Sequence, residues 1–208
     1  MDSRLAHHLC ESGEPLVMGA NQPFRLDEPD SFWMVERGTI DIFSVAAEDG
    51  EPVGRRSRLC RIHAGEIILP LTPADGDSSL CFLGVPGPDT RLVRTEKAHS
   101  EWLQKDEDLA GAWAEAVETW VSVLSAELSA GRLVPKLSQE IREGETLRLD
   151  PGSMVRCGTR FLWVLQVEGT SQFMSREDLW TIRPGRYVPF VHNTWIEAVE
   201  NTLLRGDS

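Results

Sequence analysis

The amino-acid sequence predicts a mainly β fold, in which two double-stranded β-helix (jelly-roll) units are joined by a helical connector. Short apolar segments are separated by glycine and proline turns about every 8–12 residues, which is typical of sandwiches and jelly rolls. One stretch breaks this pattern with apolar residues at helical spacing, and the stretches on either side of it resemble each other. We therefore assign residues 1–98 to a first β-roll with a short N-terminal helix, 99–135 to the connector and 136–208 to a second β-roll.

The repeat is visible as a series of landmarks in the same order. Residues 25–43 and 148–173 both open with Arg-Leu-Asp, pass through a tryptophan to a Gly-Thr pair and end on a phenylalanine. A glycine turn followed by a proline then recurs in each half. The paired landmarks are Trp33 and Trp163, Gly38 and Gly169, Thr39 and Thr170, Phe43 and Phe173, Gly65 and Gly185, and Pro70 and Pro189. A shared order with a drifting offset indicates two copies of one unit whose loops differ in length.

Within the first unit, residues 24–95 have the pattern of β-strands. Alternating apolar residues on both sides of Glu36-Arg37-Gly38 predict a hairpin of two partly buried strands. The segment 70–77 is predicted to be a loop, because two prolines and a glycine cannot sustain a strand ladder. The remaining predicted strands are 58–62, 67–69, 80–85 and 90–94. Ahead of them, Leu5, Leu9 and Cys10 are predicted to line one face of a short helix.

The connector is predicted to be one long helix, or two helices with a break near 106–108. Apolar residues from Leu109 to Leu128 recur at intervals of three and four, and Trp113 and Trp120 on this stripe are predicted core contacts. Ser100 is the predicted N-cap and Gly131 the predicted stop.

The second unit returns to β-strands and glycine turns. Its last predicted strand starts near Leu203, close to the end of the sequence, so we expect an excised part of a longer protein. The predicted strands are 145–149, 154–156, 161–167, 171–174, 179–182 and 194–199.

The composition is that of a soluble globular protein with an acidic surface. The chain of 208 residues is 41% hydrophobic and 26% charged, with a net charge of −12. Nucleic acid and anionic membranes require a cationic surface, so neither is expected as the main partner. No apolar run approaches a membrane span and no signal peptide is present, so we expect a cytoplasmic location without membrane insertion. The one local basic cluster, interpreted as a solvated strand face, comprises Arg55, Arg56, Arg58 and Arg61.

No motif for catalysis or metal binding is apparent. Phosphate loops and a glycine-flanked nucleophilic serine are missing, and His63 followed by Glu66 is the closest approach to a cupin metal site. The four cysteines lack CxxC spacing and are interpreted as small buried hydrophobes: Cys10, Cys60, Cys81 and Cys157. We therefore predict that the chain is not an enzyme and binds no metal or cofactor.

Two resemblances to known families can be seen in particular segments. The stretch from Phe32 to Phe43 resembles the first hairpin of a cyclic-nucleotide-binding β-roll, and Ala64-Gly65-Glu66 resembles the start of its phosphate-binding cassette. Other segments resemble the N-terminal region of the ABC transporter ATP-binding proteins of NHLM-type (nitrile hydratase leader microcin) bacteriocin clusters. These segments are 19–24, 26–33, 84–88, 120–125 and 192–198.

The second resemblance implies a non-catalytic regulatory or substrate-docking module of an exporter for a ribosomally made, modified peptide. Such a module would lie at the cytoplasmic face of the inner membrane. Its partners would be the remainder of the transporter, the peptide cargo or a second copy in a homodimer. The candidates for protein contact, with core packing as the alternative for each, are Trp180, Phe190 and Trp195.

The chain departs from cyclic-nucleotide-binding domains at the residues that would hold the phosphate. Glu66 matches the glutamate that contacts the ribose, but Asp75 and Asp77 follow it and no arginine occurs before Arg91. The second unit has Arg186 at the corresponding turn and no glutamate. A phosphate beside two carboxylates and no guanidinium would be poorly stabilised. We therefore predict that neither unit binds cyclic AMP or cyclic GMP tightly.

Two alternative functions remain open on the sequence. One is a free-standing sensor with a small ligand in one β-roll, and the other is a metal-dependent enzyme of the cupin class. The ligand of a sensor would be lined by Trp33, Glu66 and Arg91 in the first unit, or by Trp163 and Arg186 in the second.

Overall fold

The computed structural model describes most of the chain and divides it into two compact units. The units are Met1–Leu124 and Ser125–Ser208. The described residues are 1–71, 80–96, 102, 105–129, 134–136, 138–159, 161–175, 181–191 and 193–207. No helix among them is both long enough and apolar enough to cross a membrane.

The first unit is an eight-stranded jelly roll flanked by two helices. In chain order the elements are α1 (Ser3–Ser12), β1 (Glu14–Val17), β2 (Phe24–Arg25), β3 (Ser31–Arg37), β4 (Thr39–Glu48), β5 (Glu51–His63), β6 (Ile67–Ile68), β7 (Leu80–Pro86), β8 (Arg91–Glu96) and α2 (Glu107–Ser129). The strands form two antiparallel sheets with the orders β1-β8-β3-β6 and β2-β7-β4-β5. Consecutive strands from β1 to β4 and from β5 to β8 therefore alternate between the two sheets, as jelly-roll topology requires.

The second unit repeats this topology strand for strand. Its elements are β9 (Gln139–Ile141), β10 (Thr146–Leu149), β11 (Met154–Cys157), β12 (Phe161–Glu168), β13 (Ser171–Phe173), β14 (Thr181–Ile182), β15 (Tyr187–Val191), β16 (Trp195–Ala198) and β17 (Thr202–Asp207). The sheets have the orders β10-β17-β12-β15 and β14-β13-β16-β11-β9. Strands β10 to β17 thus take the places of β1 to β8, and β9 is an additional edge strand parallel to β11. The prediction of a mainly β fold with two jelly-roll units and a helical segment is confirmed.

Strand β15 was not predicted, because Pro189 interrupts its apolar run. A proline cannot donate to a ladder, but β15 is the edge strand of its sheet and pairs only with β12. The missing N–H can therefore face away from the neighbouring strand. The same reason explains why Pro15 is tolerated in the edge strand β1 and Pro52 in the edge strand β5.

Hydrogen bonds at the glycine turns fix which residues of the two units correspond. Gly65 donates its N–H to the carbonyl of Val35 at 2.8 Å, and Gly185 donates to the carbonyl of Gln166 at the same distance. Val35 and Gln166 are therefore equivalent. Both also stand at the same irregularity, where β3 and β12 shift register against β8 and β17.

This alignment confirms three of the six landmark pairs predicted from the sequence. In the other three pairs, the two residues are one position away from being equivalent. Gly38 and Gly169, Thr39 and Thr170, and Gly65 and Gly185 coincide. Counting back along the strands from Val35 and Gln166, however, shows that Trp163 is equivalent to Phe32 and not to Trp33. Successive strand residues point to opposite faces, so the two tryptophans lie on opposite faces of equivalent strands. The same displacement by one residue affects the Phe43–Phe173 and Pro70–Pro189 pairs.

A threonine that the sequence comparison missed is also repeated. The hydroxyl of Thr90 lies 2.9 Å from the carbonyl oxygen of Gly87 and 3.1 Å from that of Thr39. The hydroxyl of Thr202 lies 2.9 Å from the carbonyl oxygen of Glu200 and 3.3 Å from that of Thr170. Both threonines are buried beneath the hairpin glycine of their unit. Each joins the β3–β4 or β12–β13 hairpin to the loop before the last strand.

The two units differ by a compensated exchange in the interior of the roll. Val35 and Ile40 of the first unit correspond to Gln166 and Ser171 of the second. Gln166 is fully buried, donates to the carbonyl of Gly169 at 2.9 Å and accepts from the Ser171 hydroxyl at 2.6 Å. An apolar pair in one unit is therefore replaced by a hydrogen-bonded polar pair in the other.

We expect a double-mutant cycle on this polar pair to show strong coupling. Gln166→Val alone and Ser171→Ile alone should each lower the free energy of unfolding by about 1–3 kcal/mol, because each leaves a buried polar partner unsatisfied. The double variant recreates the apolar pair of the first unit and should recover most of the loss. Urea unfolding of the four proteins measures the cycle, and simple additivity of the two losses would contradict it.

The two helices belong to the first unit's core for most of their length. Asp2 caps α1 by accepting the N–H of Arg4 at 2.7 Å, and Leu5 and Leu9 are fully buried. Cys10 is exposed, contrary to the prediction, because it lies about 100° around the helix from Leu9.

Helix α2 begins at the break predicted near 106–108. Asp106 accepts the N–H of Leu109 at 3.0 Å and acts as its N-cap. Trp120 is buried and Trp113 packs partly buried against the same core, as predicted. The predicted cap at Ser100 and stop at Gly131 lie outside the described residues.

Candidate functional site

The three candidate ligand residues of the first unit do not converge. Trp33 points into the roll, where it is buried and packs against Phe24 with ring centroids 5.6 Å apart. Arg91 is exposed on β8 and lies 3.9 Å from the carboxylate of Glu36. Glu66 lies in the turn between β5 and β6. The three side chains therefore lie in different places: in the interior of the roll, at a turn and on the exposed side of β8.

The two candidates of the second unit lie on its outside. Trp163 is half-buried on the outer face of β12, with its ring 5.4 Å from that of Phe161. Arg186 is exposed in the turn before β15, and its carbonyl oxygen accepts the N–H of Gln166 at 3.0 Å. Neither side chain points into the roll.

The candidates for protein contact are found in the core where the structure describes them. Phe190 is fully buried and Trp195 nearly so, and the indole N–H of Trp195 donates to the Ser175 hydroxyl at 3.3 Å. Both residues therefore pack in the core, which was the alternative to a protein-contact role. Trp180 lies outside the described residues.

Glu66 has a structural role at its turn. His63 to Glu66 form a type II turn, with Gly65 at a φ of +87° and the N–H of Glu66 donating to the carbonyl of His63 at 3.0 Å. The Glu66 carboxylate also accepts the N–H of His63 at 2.7 Å. Glu145 closes the turn from Arg142 in the same way, at 2.9 Å. The glutamate that matches a ribose-contacting residue therefore closes a corner of the roll.

A small pocket beside Glu66 lies between the β5–β6 turn and α2. Its volume is about 160 Å³, below the range of roughly 300–1,000 Å³ that is usual for small-molecule sites. Ile62, Ile67, Ala116, Trp120 and Val123 provide apolar lining, and Asp2, Glu66 and Glu115 provide carboxylates. Met1 also lines the pocket, but none of the lining side chains is a cation, and three carboxylates oppose the approach of a phosphate. Sequence reasoning identified Glu66 but placed Trp120 only in the core stripe of the helix.

The described interiors of both rolls consist mainly of apolar side chains. Ile40, Ile42 and Ile68 fill the first roll, and Val164, Phe190 and Ile196 fill the second. Among the described residues no Asp, Glu, Lys, Arg or His is buried; the buried polar side chains are hydroxyls and one amide. A buried anion would require a buried guanidinium or ammonium group.

The arginine cluster of the sequence lies on the edge strand β5. Arg61 and Arg58 both donate to the carboxylate of Asp41, at 2.7–2.9 Å, and Arg61 in particular holds the pKa of Asp41 below its usual value. Arg55 and Arg56 are exposed where β5 leaves its register with β4. Charged side chains and a bulge are typical protection for an exposed sheet edge, which agrees with the interpretation as a solvated strand face.

The described residues contain no group of three or more His, Cys, Asp or Glu side chains arranged to hold a metal ion. Cys60, Cys81 and Cys157 are buried, as expected of small hydrophobes, whereas Cys10 is exposed.

Comparison with known proteins gives matches to solved structures alone. No protein-family model matches the chain, and no curated protein matches it. A CooA mutant from Carboxydothermus hydrogenoformans is 12% identical, with a TM-score of 0.45 over 61% of this chain and 78% of that one. The catabolite activator protein of Thermus thermophilus is 14% identical, with a TM-score of 0.42 over 62% of this chain and 59% of that one.

A third match spans nearly the whole chain. The cAMP-bound structure of PfPKA-R is 10% identical, with a TM-score of 0.35 over 98% of this chain and 73% of that one. At such identities and scores the likeness concerns general architecture, and neither a ligand nor an activity of this chain follows from it.

Proposed function

We propose that this chain is a non-catalytic regulatory or docking module that acts through contacts with a protein or peptide. The observation that supports this most strongly is the composition of the buried residues. Both rolls retain the architecture of a ligand-binding scaffold, but their described interiors are mainly apolar and no cation is buried in them. Partner recognition on the outside of the rolls is the function compatible with such interiors.

The partner we propose is a peptide exporter, as the resemblance of segments such as 26–33 and 84–88 implies. The chain would act at the cytoplasmic face of the inner membrane, on the transporter or on its modified-peptide cargo. Co-expression with such a transporter and its precursor peptide, followed by purification through a tag on this chain, tests the proposal. Stoichiometric recovery of either component is expected, and recovery of neither would overturn the exporter context.

Calorimetry with cyclic AMP and cyclic GMP tests the prediction that neither unit binds a cyclic nucleotide tightly. We expect no saturable heat up to about 1 mM nucleotide, because the pocket at Glu66 contains three carboxylates and no side-chain cation. Glu66→Gln is the matched variant and should behave like the wild type. Micromolar binding that Glu66→Gln abolishes would show that the first unit is a nucleotide sensor.

A small-ligand sensor is the second candidate function, and the pocket beside Trp120 is the observation that favours it. Its apolar lining and carboxylates suit a small ligand that carries a positive charge on an apolar stem. Native mass spectrometry of the purified protein distinguishes the candidates, because a retained ligand adds a discrete mass. Loss of that mass in Trp120→Leu would assign the ligand to this pocket.

A further inference from the structure

The outer faces of two equivalent sheets differ in what covers them. In the first unit, the outer face of β1-β8-β3-β6 carries Phe32, Met34, Ile67 and Val93, which are only 1–2% exposed. Helix α2 covers Phe32, whose ring lies 4.7 Å from that of Trp113, and the end of α1 lies against Val93. This face is therefore buried by two helices.

The strand register identifies the same positions in the second unit. Met34 pairs with Ile67 and Val93, and Leu165 pairs with Tyr187 and Arg205. Leu165, Tyr187 and Arg205 are thus the counterparts of Met34, Ile67 and Val93.

We call this second surface the open face and define it by its apolar residues. They are Phe161, Trp163, Leu165 and Val167 on β12, Tyr187 on β15 and Leu203 on β17. Four of them are half-buried, Val167 is 37% exposed and Tyr187 is 49% exposed. Within the described part of the second unit, the only helical residues that follow Leu124 are the end of α2, up to Ser129. The open face is apolar like its counterpart but remains accessible.

The dimensions and charges of the open face indicate what would cover it. Phe161 to Val167 extend over about 20 Å of strand, the length of three to four helical turns. Arg205 replaces the apolar Val93, and Arg186 replaces Glu66, which faces α2 in the first unit. Arg205 donates to the carboxylate of Asp207, which lies on the same face, so these two charges offset each other. Arg186 is therefore the cation that the open face carries where the first unit has a carboxylate.

We infer that the open face docks an amphipathic α-helix of a partner protein, with acidic residues beside its apolar stripe. The first unit provides the precedent, because its equivalent face is covered by α2, whose charged residues are all acidic. This inference rests on the proposed docking function and specifies its surface. Apolar contacts of Leu165 and Val167 would supply most of the affinity, and Arg186 would set the charge preference.

The test uses the full chain and a fluorescein-labelled synthetic peptide of residues 105–129 as the helical probe. Fluorescence anisotropy should show saturable binding, and a scrambled peptide of the same composition should not bind. Leu165→Glu and Val167→Glu should each weaken binding at least about tenfold, and Arg186→Glu should weaken it less and make it less salt-dependent. Val17→Glu is the matched control, because Val17 is an exposed valine of β1 in the first unit and should leave binding unchanged.

Three results would overturn the inference. They are the absence of saturable binding, equal weakening by Val17→Glu and Leu165→Glu, and a wild-type dimer in sedimentation that Leu165→Glu dissociates. In the last case a second copy of the chain, and not a partner's helix, covers the open face. Recovery of the exporter or peptide by co-purification together with any of these results would retain the proposed function and reject only this surface.

Discussion

Gly169→Ala should unfold the second unit while leaving the first unit folded. Gly169 has a φ of +76°, and a Cβ atom there would lie 2.2 Å from the carbonyl oxygen of Asn201 and 2.9 Å from Cα of Thr202. The left-handed conformation costs about 1–2 kcal/mol for a residue with a side chain. Overlap with backbone, which cannot move aside as a flexible side chain does, adds roughly 1–3 kcal/mol. A total near 3 kcal/mol is a large part of the stability of a small domain.

Gly185→Ala is the matched control for this prediction. Gly185 has a φ of +81°, but a Cβ atom there would meet nothing within 4 Å. It should therefore lose only the conformational part, about 1–2 kcal/mol. Hydrogen exchange read by mass spectrometry locates the effect, and protection should fall across 139–207 in Gly169→Ala and persist across 31–96. Equal losses in the two variants would show that the close approach at Thr202 does not matter.

The equivalent glycine of the first unit extends the argument. A Cβ atom at Gly38 would lie 2.7 Å from the hydroxyl of Thr90 and 2.9 Å from its Cα, so the same contact recurs. Gly38 and Gly169 were landmarks of the sequence repeat, and the structure supplies their physical reason. The hairpin approaches the last strand so closely that only glycine fits, and the buried threonine closes the contact from below.

The sequence predicted the fold class because glycine turns and strand alternation are local signals. Type II turns require a positive φ at one residue, so glycines such as Gly65 and Gly185 recur wherever the roll turns a corner. Alternation of apolar residues then identifies the strands between the corners. Those signals do not specify which face of a strand points inward. Trp33 and Trp163 occupy similar places in the sequence but opposite faces, because a shift of one residue moves a side chain to the other side of the sheet.

The candidate sites were harder to predict for the same reason. The grouping of Trp33, Glu66 and Arg91 rests on a resemblance in sequence to a cyclic-nucleotide-binding roll, whereas the positions of these residues depend on strand pairing over long sequence separations. The open face has a stronger sequence signal, since Phe161, Trp163, Leu165 and Val167 recur at every second residue. That alternation identifies one apolar face of β12. The alternation alone does not show that this open face lacks a covering helix. That difference follows from the strand register, which shows that two helices cover the equivalent face of the first unit.

Phe190→Ala should destabilise the second unit more than any surface change on the same strand. Phe190 is the largest fully buried side chain of the second unit among the described residues, and it lies within the apolar cluster that includes Val164, Ile196 and Leu204. Removal of a buried phenyl ring loses its transfer free energy and leaves a cavity that the surrounding strands fill only partly. Such a substitution typically lowers the free energy of unfolding by about 3–5 kcal/mol.

Tyr187→Ala on the same strand separates a core role from a contact role. Tyr187 is 49% exposed and its hydroxyl donates to Asp207 at 2.9 Å, so its removal should lower the free energy of unfolding by only about 1 kcal/mol. Urea unfolding measures the stability of both variants, and anisotropy with the 105–129 peptide measures docking. We expect Tyr187→Ala to fold and to bind the peptide weakly.

Phe190→Leu is the control for the core position. It retains most of the buried volume, so it should restore stability and bind the peptide like the wild type. If Phe190→Ala were as stable as the wild type but failed to bind, Phe190 would be a contact residue and its placement in the core would be wrong.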